Sequence, residues 1–421
     1  MAALEANDSF ATISEPCQAD LVYLPRPYPQ VIKYMGSKAA ILPFIAAELA
    51  KVHAAERPIV DLFAGACAIS GGFGHVSKII SNDIQEYSAV IASIYLKRAK
   101  KIAGFNLVEL AQPIVTKNHA RLTAEVAYLP NVSLEEFNQI EVRNRELLDR
   151  DFEYSHHLFT KSYSGTWWSA HQCVWIDAIR QVLDELWNSK KIDKSDFDFG
   201  LTCLMHAMAY TSQGTGHYAQ YRDAKTDRGM ADINKYRQAS FPAIFNRKFD
   251  ALLKWHQENV TDVFSHELRA EDYRTCLDTL DQPAVIYADP PYAFVHYSRF
   301  YHAMETVVKY DYPELQQVRD EVVKGRYRSE RHQSPFCIRT QVKGAFLDLF
   351  EGVKSSGSDL LLSYSNTGMI PIGHLMDLAT TTFGSGYDVW FDHMTHTHMT
   401  MGRREDRSRE VRESLIIAKM K

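Results

Sequence analysis

The 421-residue chain lacks several features that would place it in a familiar class. No apolar run is long enough to cross a bilayer, and the N-terminus has no basic segment followed by an apolar core, so we expect neither a membrane protein nor a secreted one. The six cysteines lie far apart and form no C-x-x-C pair. This is typical of reduced thiols rather than of a disulfide framework or a zinc site. We therefore expect a cytoplasmic protein.

Two common nucleotide-binding patterns are also missing. The chain contains neither the dinucleotide fingerprint G-x-G-x-x-G nor the phosphate-binding loop G-x-x-x-x-G-K-[ST], so neither type of phosphate site is supported. The formal net charge of −5 argues mildly against a nucleic-acid partner, because such domains are often strongly basic. With 46% hydrophobic and 24% charged residues, the composition is that of an ordinary globular protein with room for two or three domains.

The most specific pattern is Asp-Pro-Pro-Tyr at residues 289–292, shortly after the apolar run 284–286. The two prolines fix φ and supply no backbone donor, so a strand must stop there. The residue before each proline is held extended, which aims the Asp289 carboxylate and the Pro290 carbonyl out of the sheet edge. Rigid acceptors beside the Tyr292 ring suit a planar base that is held through its exocyclic amine.

A second pattern lies upstream, where the apolar strand that begins at Ile59 runs into a turn containing Gly65. Glycine permits a tight turn and lets a ligand approach the backbone closely. The next predicted strand ends at Asp83, about 20 residues after the first, where a carboxylate can hydrogen-bond ribose hydroxyls. Each piece alone is weak. The succession of strand, glycine turn, strand-end acid and Asp-Pro-Pro-Tyr is much more specific.

These patterns, with two further segments, resemble the D12-class adenine-specific DNA methyltransferases, which are relatives of the Dam enzymes. The matching segments occur in the family's order, within residues 30–95 and 268–370: Lys33-Tyr34-Met35-Gly36-Ser37-Lys38, Asp61-Leu62-Phe63-Ala64-Gly65-Ala66, Asn82-Asp83, Asp289-Pro290-Pro291-Tyr292 and Leu361-Leu362-Ser363-Tyr364-Ser365-Asn366. One departure is Ala66-Cys67-Ala68, where many members carry Gly-Ser or Gly-Thr. The resemblance implies a prokaryotic or phage enzyme that transfers a methyl group from S-adenosylmethionine to N6 of an adenine in a specific duplex DNA sequence.

The resemblance also implies roles for single residues. The catalytic residues would be Asp289, Pro290 and Tyr292, with the target adenine flipped out of the duplex and stacked on Tyr292. The cofactor would be bound by a larger set: Tyr34, Lys38, Asp61, Phe63, Gly65, Asp83, Asp272 and Asp289. A helix N-cap is the alternative for Asp272, and a surface lysine is the alternative for Lys38. No metal is expected, because the histidines at 393, 396 and 398 lack a clear carboxylate partner.

A long segment, residues 96–267, separates the two matching halves, and no sheet crossover needs so much chain. We interpret it as an inserted, mainly helical target-recognition domain, with helices predicted over Leu134–Arg150, Ala170–Leu186 and Phe199–Ala209. The other predicted parts are an irregular segment at 1–27, a cofactor half at 28–95 and a catalytic half at 268–421.

Contacts with double-stranded DNA are predicted from two loops of this insertion, from the family segment near Tyr297, and from a basic stretch beyond it. The loops carry aromatic and base-reading side chains, and the basic stretch can contact phosphates. The predicted DNA-contact residues are Trp167, Gln220, Arg222, Tyr297, Arg299, Arg326, Arg328 and Arg331. The alternatives are core aromatic residues in the loops and a solvated charged loop in the basic stretch.

The predicted fold is an α/β, Rossmann-like methyltransferase core with a mixed, mostly parallel sheet. We expect strands near 59–64, 78–82, 284–288, 359–364, 387–393 and 414–419, the last being antiparallel and closing the sheet. Three other functions stay open: N4-cytosine methylation by the same geometry, methylation of protein or RNA, and DNA binding without catalysis. The role would be restriction-modification or orphan methylation, the former with a cognate restriction endonuclease encoded nearby.

Overall fold

The computed structural model describes residues 23–54, 56–214, 216–291, 297–366, 368–399 and 408–421. Its strands, numbered in chain order, are β1 (Ile59–Asp61), β2 (Ile79–Asn82), β3 (Glu267–Arg269), β4 (Val285–Ala288), β5 (Gln317–Val318), β6 (Glu321–Val322), β7 (Asp359–Ser365), β8 (Tyr387–Met399) and β9 (Ser408–Met420). Seven of them form one sheet in the order β3-β2-β1-β4-β7-β9-β8, and β5 pairs with β6 alone. Within this sheet, β3, β2, β1, β4 and β7 run parallel to one another, whereas β9 is antiparallel to both of its neighbours.

Alternate residues of the central strands enter two different hydrophobic cores, one on each face of the sheet. Ile59 and Val285 are neighbours in register and belong to one core, while Val60 and Ile286 belong to the other. All four side chains are fully buried. A parallel sheet that is apolar on both faces has to be covered by helices on both sides.

The helices, numbered in chain order, are α1 (Leu42–Val52), α2 (Ala68–Phe73), α3 (Glu86–Leu96), α4 (Leu107–His119), α5 (Leu134–Arg145), α6 (Leu158–Tyr163), α7 (Ala170–Asn188), α8 (Lys194–Thr211), α9 (Asp227–Arg237), α10 (Phe241–Asn259), α11 (Tyr273–Asp278), α12 (Tyr297–Phe300), α13 (His302–Lys309), α14 (Val342–Ser355) and α15 (Ile372–Phe383). Helices α1, α3 and α8 bury side chains in the core that contains Ile59. Helices α11, α14 and α15 cover the opposite face, in the core that contains Val60.

The segment between α3 and β3 is helical in its described part, and its helix starts follow local capping chemistry. Ser133 and Glu136 form the reciprocal capping box expected from their spacing. Helix α8 begins at Lys194 rather than at the predicted Phe199, because Asp193 and Asp196 also form a capping box. Helix α5 ends at Arg145 rather than at the predicted Arg150, because the chain continues as a 3₁₀ turn over Glu146–Asp149.

Part of this helical segment packs on the core of the sheet, whereas Phe137 of α5 and Ile233 of α9 belong to a separate small cluster. Leu183 of α7 and Phe199 of α8 lie in the same hydrophobic core as Ile59 of the sheet. Helix α8 therefore continues the layer that α3 begins on one face of the sheet. The predicted domain boundaries at 96 and 267 stay a prediction.

The prediction for the last strand was correct in direction and wrong in position. Strand β9 is antiparallel, but it lies between β7 and β8 and does not close the sheet. Its register with β7 pairs Leu361 with Ile417, and its other edge pairs along the full length of β8, from Tyr387 with Met420 to Met399 with Ser408. Because β9 pairs with β7 on one side and with β8 on the other, β8 is the edge strand of the sheet. Strand β3 at the opposite edge was not among the predicted strands.

The described ranges lack two kinds of feature. None of their helices is both long and apolar enough to span a membrane. No group of three or more His, Cys, Asp or Glu side chains in these ranges is arranged to hold a metal ion. The side chains of the histidines at 396 and 398 lie outside the described residues.

Candidate active site

The carboxyl ends of β1, β2 and β4 meet at one pocket. Parallel strands place these ends at the same edge of a sheet, which is where α/β folds bind ligands. The pocket brings together ten of the residues singled out in the sequence: Tyr34, Lys38, Asp61, Phe63, Gly65, Asp83, Asp272, Asp289, Pro290 and Tyr297. Tyr292 lies outside the described residues.

The turn after β1 depends on Gly65. Its φ of +50° lies in the left-handed region, and a Cβ atom there would stand 2.8 Å from the Tyr34 hydroxyl. The Gly65 N–H donates a hydrogen bond of 3.0 Å to Oδ2 of Asp83, whose Oδ1 accepts from the Gln85 N–H at 2.9 Å. Asp83 thus fixes the glycine turn, and its carboxylate also lines the pocket.

Lys38 lies between two carboxylates. Its ammonium is 3.0 Å from Oδ1 of Asp289 at the end of β4 and 3.2 Å from Oε1 of Glu413 on β9. Glu413 also accepts a 2.7 Å hydrogen bond from the Ser363 hydroxyl and is only 2% exposed. Sequence reasoning missed Glu413; its one signal was a carboxylate directly before the buried run 414–418.

Burial controls the acidity of the carboxyl groups around this lysine. Burial raises the pKa of Asp289 to about 6, although the Lys38 ammonium beside it acts in the opposite direction. The pKa of Asp83 is raised by burial to about 6 as well. Burial and the neighbouring Asp289 and Asp83 carboxylates raise the pKa of Asp61 well above its ordinary value. Carboxylates crowded in this way favour a cationic partner.

One wall of the pocket is a stack of tyrosines. Tyr34 stacks on Tyr301, with ring centroids 4.6 Å apart at 16°, and on Tyr297, at 5.8 Å and 29°. The Met35 N–H donates to the Tyr301 hydroxyl at 2.8 Å, which ties the N-terminal segment to the wall. The structure places Tyr297, predicted as a DNA contact, in the wall of this pocket.

The loop after β3 contributes two more carboxylates. Asp272 is the N-cap of α11, since its Oδ1 accepts from the Arg274 N–H at 3.0 Å; it nevertheless also lines the pocket. Its neighbour Glu271 was not predicted as a site residue. Within the described ranges, the buried Oε2 of Glu271 has no hydrogen-bond partner. Asn82 fixes this loop through 3.2 Å hydrogen bonds to both backbone groups of Glu271.

A second, polar pocket adjoins the first and contains three of the predicted DNA-contact residues. Gln220, Arg299 and Arg331 line it, and Ser298 and His332 are shared by the two pockets.

Arg222 is exposed nearby, and its side chain already has protein partners. It forms an ion pair of 2.7 Å with Asp232 and donates hydrogen bonds to Gln213. Arg222 would have to share or exchange these partners to contact DNA.

Two other predicted DNA contacts, Trp167 and Arg326, are corrected by the structure because they are buried, and a third, Arg328, already has a protein partner. Trp167 is fully buried in the hydrophobic core and exposes no surface to a partner. Arg326 is 7% exposed and donates to the Ser162 carbonyl at 3.0 Å, so it holds two segments together. Arg328 forms a bidentate ion pair with both carboxylate oxygens of Asp311, at 2.7 and 2.6 Å. The basic stretch is therefore largely engaged in structural contacts.

The mostly parallel sheet with an acceptor-rich pocket at its strand ends fits a methyltransferase fold. Comparison with known proteins gives the family. The chain belongs to the D12 class N6 adenine-specific DNA methyltransferases, whose sequence profile matches residues 34–166 and 176–353. The resemblance inferred from the motifs is thus confirmed.

Several curated relatives carry restriction-modification names. The chain is 23% identical over 352 residues to modification methylase LlaI of Lactococcus lactis subsp. lactis, covering 83% of this chain and 48% of the relative. It is 22% identical over 340 residues to modification methylase StsI of Streptococcus sanguinis, covering 80% and 44%. It is 22% identical over 354 residues to type II methyltransferase M.NlaIII of Neisseria lactamica, covering 82% and 87%. The chain thus spans less than half of the first two relatives and most of the third.

Proposed function

We propose that this chain transfers a methyl group from S-adenosylmethionine to N6 of an adenine in a specific sequence of duplex DNA. The observation that carries the proposal is the position of Asp289 and Pro290, at the end of β4, in the same pocket as the Gly65 turn and Asp83. Membership of the family supports the reaction, and the relatives' names support a restriction-modification role. A cognate restriction endonuclease would then be the functional partner.

The charge of the pocket suits S-adenosylmethionine, which carries a sulfonium and an ammonium group. Among the described lining residues there are five carboxylates against the single ammonium of Lys38: Asp61, Asp83, Glu271, Asp272 and Asp289. Among the described residues, the buried Oε2 of Glu271 has no hydrogen-bond partner, so it can accept from a ligand donor. We infer that Asp83 binds the ribose hydroxyls, and Tyr34 and Phe63 offer aromatic faces in the same pocket. The cofactor, when bound, supplies an activated methyl group on positively charged sulfur.

The chain's own task is to prepare the amine. Adenine N6 is a poor nucleophile because its lone pair is delocalised into the ring. The Asp289 carboxylate and the Pro290 carbonyl accept the two amine hydrogens, which localises the lone pair and orients it. The prolines at 290 and 291 have no backbone N–H, so they present no competing donor. With a pKa of about 6, Asp289 is mostly ionised at neutral pH and can act as this acceptor.

The base has to leave the duplex to reach Asp289. In the duplex its N6 amine is paired with thymine and the neighbouring bases cover both faces of the ring, so we infer that the adenine is flipped out and stacked on Tyr292. Gln220 and Arg222 are the proposed base-reading side chains, because amide and guanidinium groups recognise base edges in the major groove.

Incubation with radiolabelled S-adenosylmethionine and duplex DNA, followed by nucleoside analysis, tests the proposal. We expect N6-methyladenine. Asp289→Ala should abolish transfer while DNA binding persists. The matched control is Asp388→Ala at the start of β8, which changes an exposed aspartate paired with Lys421 and should keep parental activity.

The alternatives give different results in the same assay. N4-methylcytosine would identify the chain as a cytosine methyltransferase. DNA binding by the parent chain without any methylated nucleoside would indicate a non-catalytic DNA-binding protein. Parental activity in Asp289→Ala would refute the proposed mechanism.

A further inference from the structure

The polar pocket beside the candidate active site is organised around one aromatic ring. Tyr327 is 4% exposed, and its hydroxyl donates to the Ala219 carbonyl, which fixes the ring against the loop that carries Gln220. The Arg299 and Arg331 guanidinium carbons lie 4.7 and 5.2 Å from the ring centroid. Two cations are thus gathered on a single tyrosine.

These two arginines differ from three neighbouring cations that have acidic partners. Lys324 pairs with Asp223, Arg328 with Asp311 and Arg222 with Asp232. Among the described residues, neither Arg299 nor Arg331 forms an ion pair, and the buried Nε of Arg299 has no hydrogen-bond partner.

Arg331 is nonetheless held in place. Its Nε donates to the Arg328 carbonyl at 3.0 Å and its Nη2 to Oε1 of Gln316 at 2.7 Å. Burial and the nearby Arg299 charge both lower the pKa of Arg331. Because both guanidinium carbons lie near one ring centroid, they are at most about 10 Å apart, and their charges repel each other. Neither has an ion-pair partner among the described residues, so an anion that contacts both would relieve that repulsion. Arginine pairs are suited to bidentate binding of phosphate.

We propose that Arg299 and Arg331 form a clamp for one backbone phosphate of the DNA strand that carries the target adenine. This inference rests on the proposed function. The polar pocket that holds the clamp adjoins the methyl-transfer pocket. Ser298 and His332 line both pockets, and the Ser298 hydroxyl donates to the His332 carbonyl at 2.6 Å. A phosphate held here would fix the backbone next to a flipped nucleotide. Such a contact sets position and carries no sequence information.

The test is a scan of DNA duplexes in which each phosphate around the methylated adenine is replaced, one at a time, by an uncharged methylphosphonate. The parent protein should lose about 10- to 100-fold in affinity at one flanking position. Arg299→Gln and Arg331→Gln should each bind unmodified DNA more weakly and show little further loss at that position. For each variant, the slope of log affinity against log salt concentration should become smaller in magnitude by about one.

Three comparisons make the result decisive. Arg143→Gln, which removes an exposed arginine of α5, should retain the parental methylphosphonate profile. Arg299→Lys and Arg331→Lys keep the charge and should recover part of the affinity, which separates a clamp from damaged folding. Equal sensitivity at all phosphates, or identical profiles for parent and Arg299→Gln, would overturn the clamp. If the parent protein methylates no adenine, the proposed function itself fails; if it methylates but shows no coupled position, only the clamp does.

Discussion

In the profile of methyl-transfer rate against pH, the rate should fall on the acid side, and Glu413→Gln should move this acid limb to lower pH. The substitution keeps the shape of the side chain and removes one negative charge beside the Lys38–Asp289 pair. Burial and Glu413 both raise the pKa of Asp289, to about 6, and Lys38 lowers it. In the proposed mechanism Asp289 accepts amine hydrogens as a carboxylate, so the rate should fall as pH drops through this pKa. Without the Glu413 charge, that fall should begin at lower pH.

The size of the effect follows from the geometry. Both carboxylates contact the same ammonium, at 3.0 and 3.2 Å, so their oxygens lie at most about 6 Å apart. Two charges at about 6 Å with an effective dielectric constant of about 20 interact by about 3 kcal/mol, which corresponds to about two pH units. We expect a downward movement of about one to two pH units, because solvent and the remaining Lys38 contact attenuate it. Lys38→Gln should move the limb in the opposite direction, since it removes the cation that lowers the pKa of Asp289.

Single-turnover rates at saturating cofactor and DNA are the appropriate measurement, because they separate chemistry from product release. Profiles from about pH 5 to 8 would contain the acid limb. Glu267→Gln on β3 is the matched control, because this carboxylate pairs with Lys78 and Arg269 and does not line the pocket. An unchanged acid limb in Glu413→Gln would refute the electrostatic reasoning. A shift of the limb in the same direction in Glu413→Gln and Lys38→Gln would also refute it.

Three further predictions concern the cofactor, the core and the DNA. Asp83→Asn should weaken S-adenosylmethionine binding about tenfold or more in calorimetry, because hydrogen bonds to a charged group contribute about 1.5–3 kcal/mol; unchanged affinity would remove Asp83 from the site. Trp167→Ala should lower the free energy of unfolding by about 3–5 kcal/mol in denaturant titrations; parental stability with a selective loss of DNA binding would contradict its place in the core. Tyr292→Phe should keep most methyl-transfer activity and Tyr292→Ala should lose most of it, since stacking contributes about 1–3 kcal/mol per base; equal activities would exclude stacking.

The strand-end residues of the site could be predicted because their chemistry is local. Three local patterns each indicate a turn at a strand end, whatever the rest of the fold does: the prolines that end β4, the glycine with positive φ after β1 and the acid after β2. Since parallel strands share one carboxyl edge, placing Gly65, Asp83 and Asp289 in one pocket needed only the fold class.

The residues that could not be predicted depend on partners far away in the chain. Glu413 enters the site only because β9 lies beside β7, a topology that local periodicity does not encode. Arg326 and Arg328 form a charge run that is typical of a solvated loop, yet their partners are the Ser162 carbonyl and the Asp311 carboxylate. Trp167 was ambiguous for the same reason. Its aromatic ring suits a core and a DNA interface equally, and only packing decides between them.

The candidate active site also links ligand binding to the integrity of the whole fold. Its parts come from residues as far apart as Tyr34 and Glu413, and from the turns after β1, β2, β3 and β4. A site assembled from such distant segments depends on contacts that form slowly, and no partly folded chain would contain it complete. A ligand of this pocket therefore stabilises the entire sheet, by about 2.7 kcal/mol at a free concentration of 100 times its Kd. Resistance to heat or proteolysis would then report occupancy of the pocket without any assay of methylation.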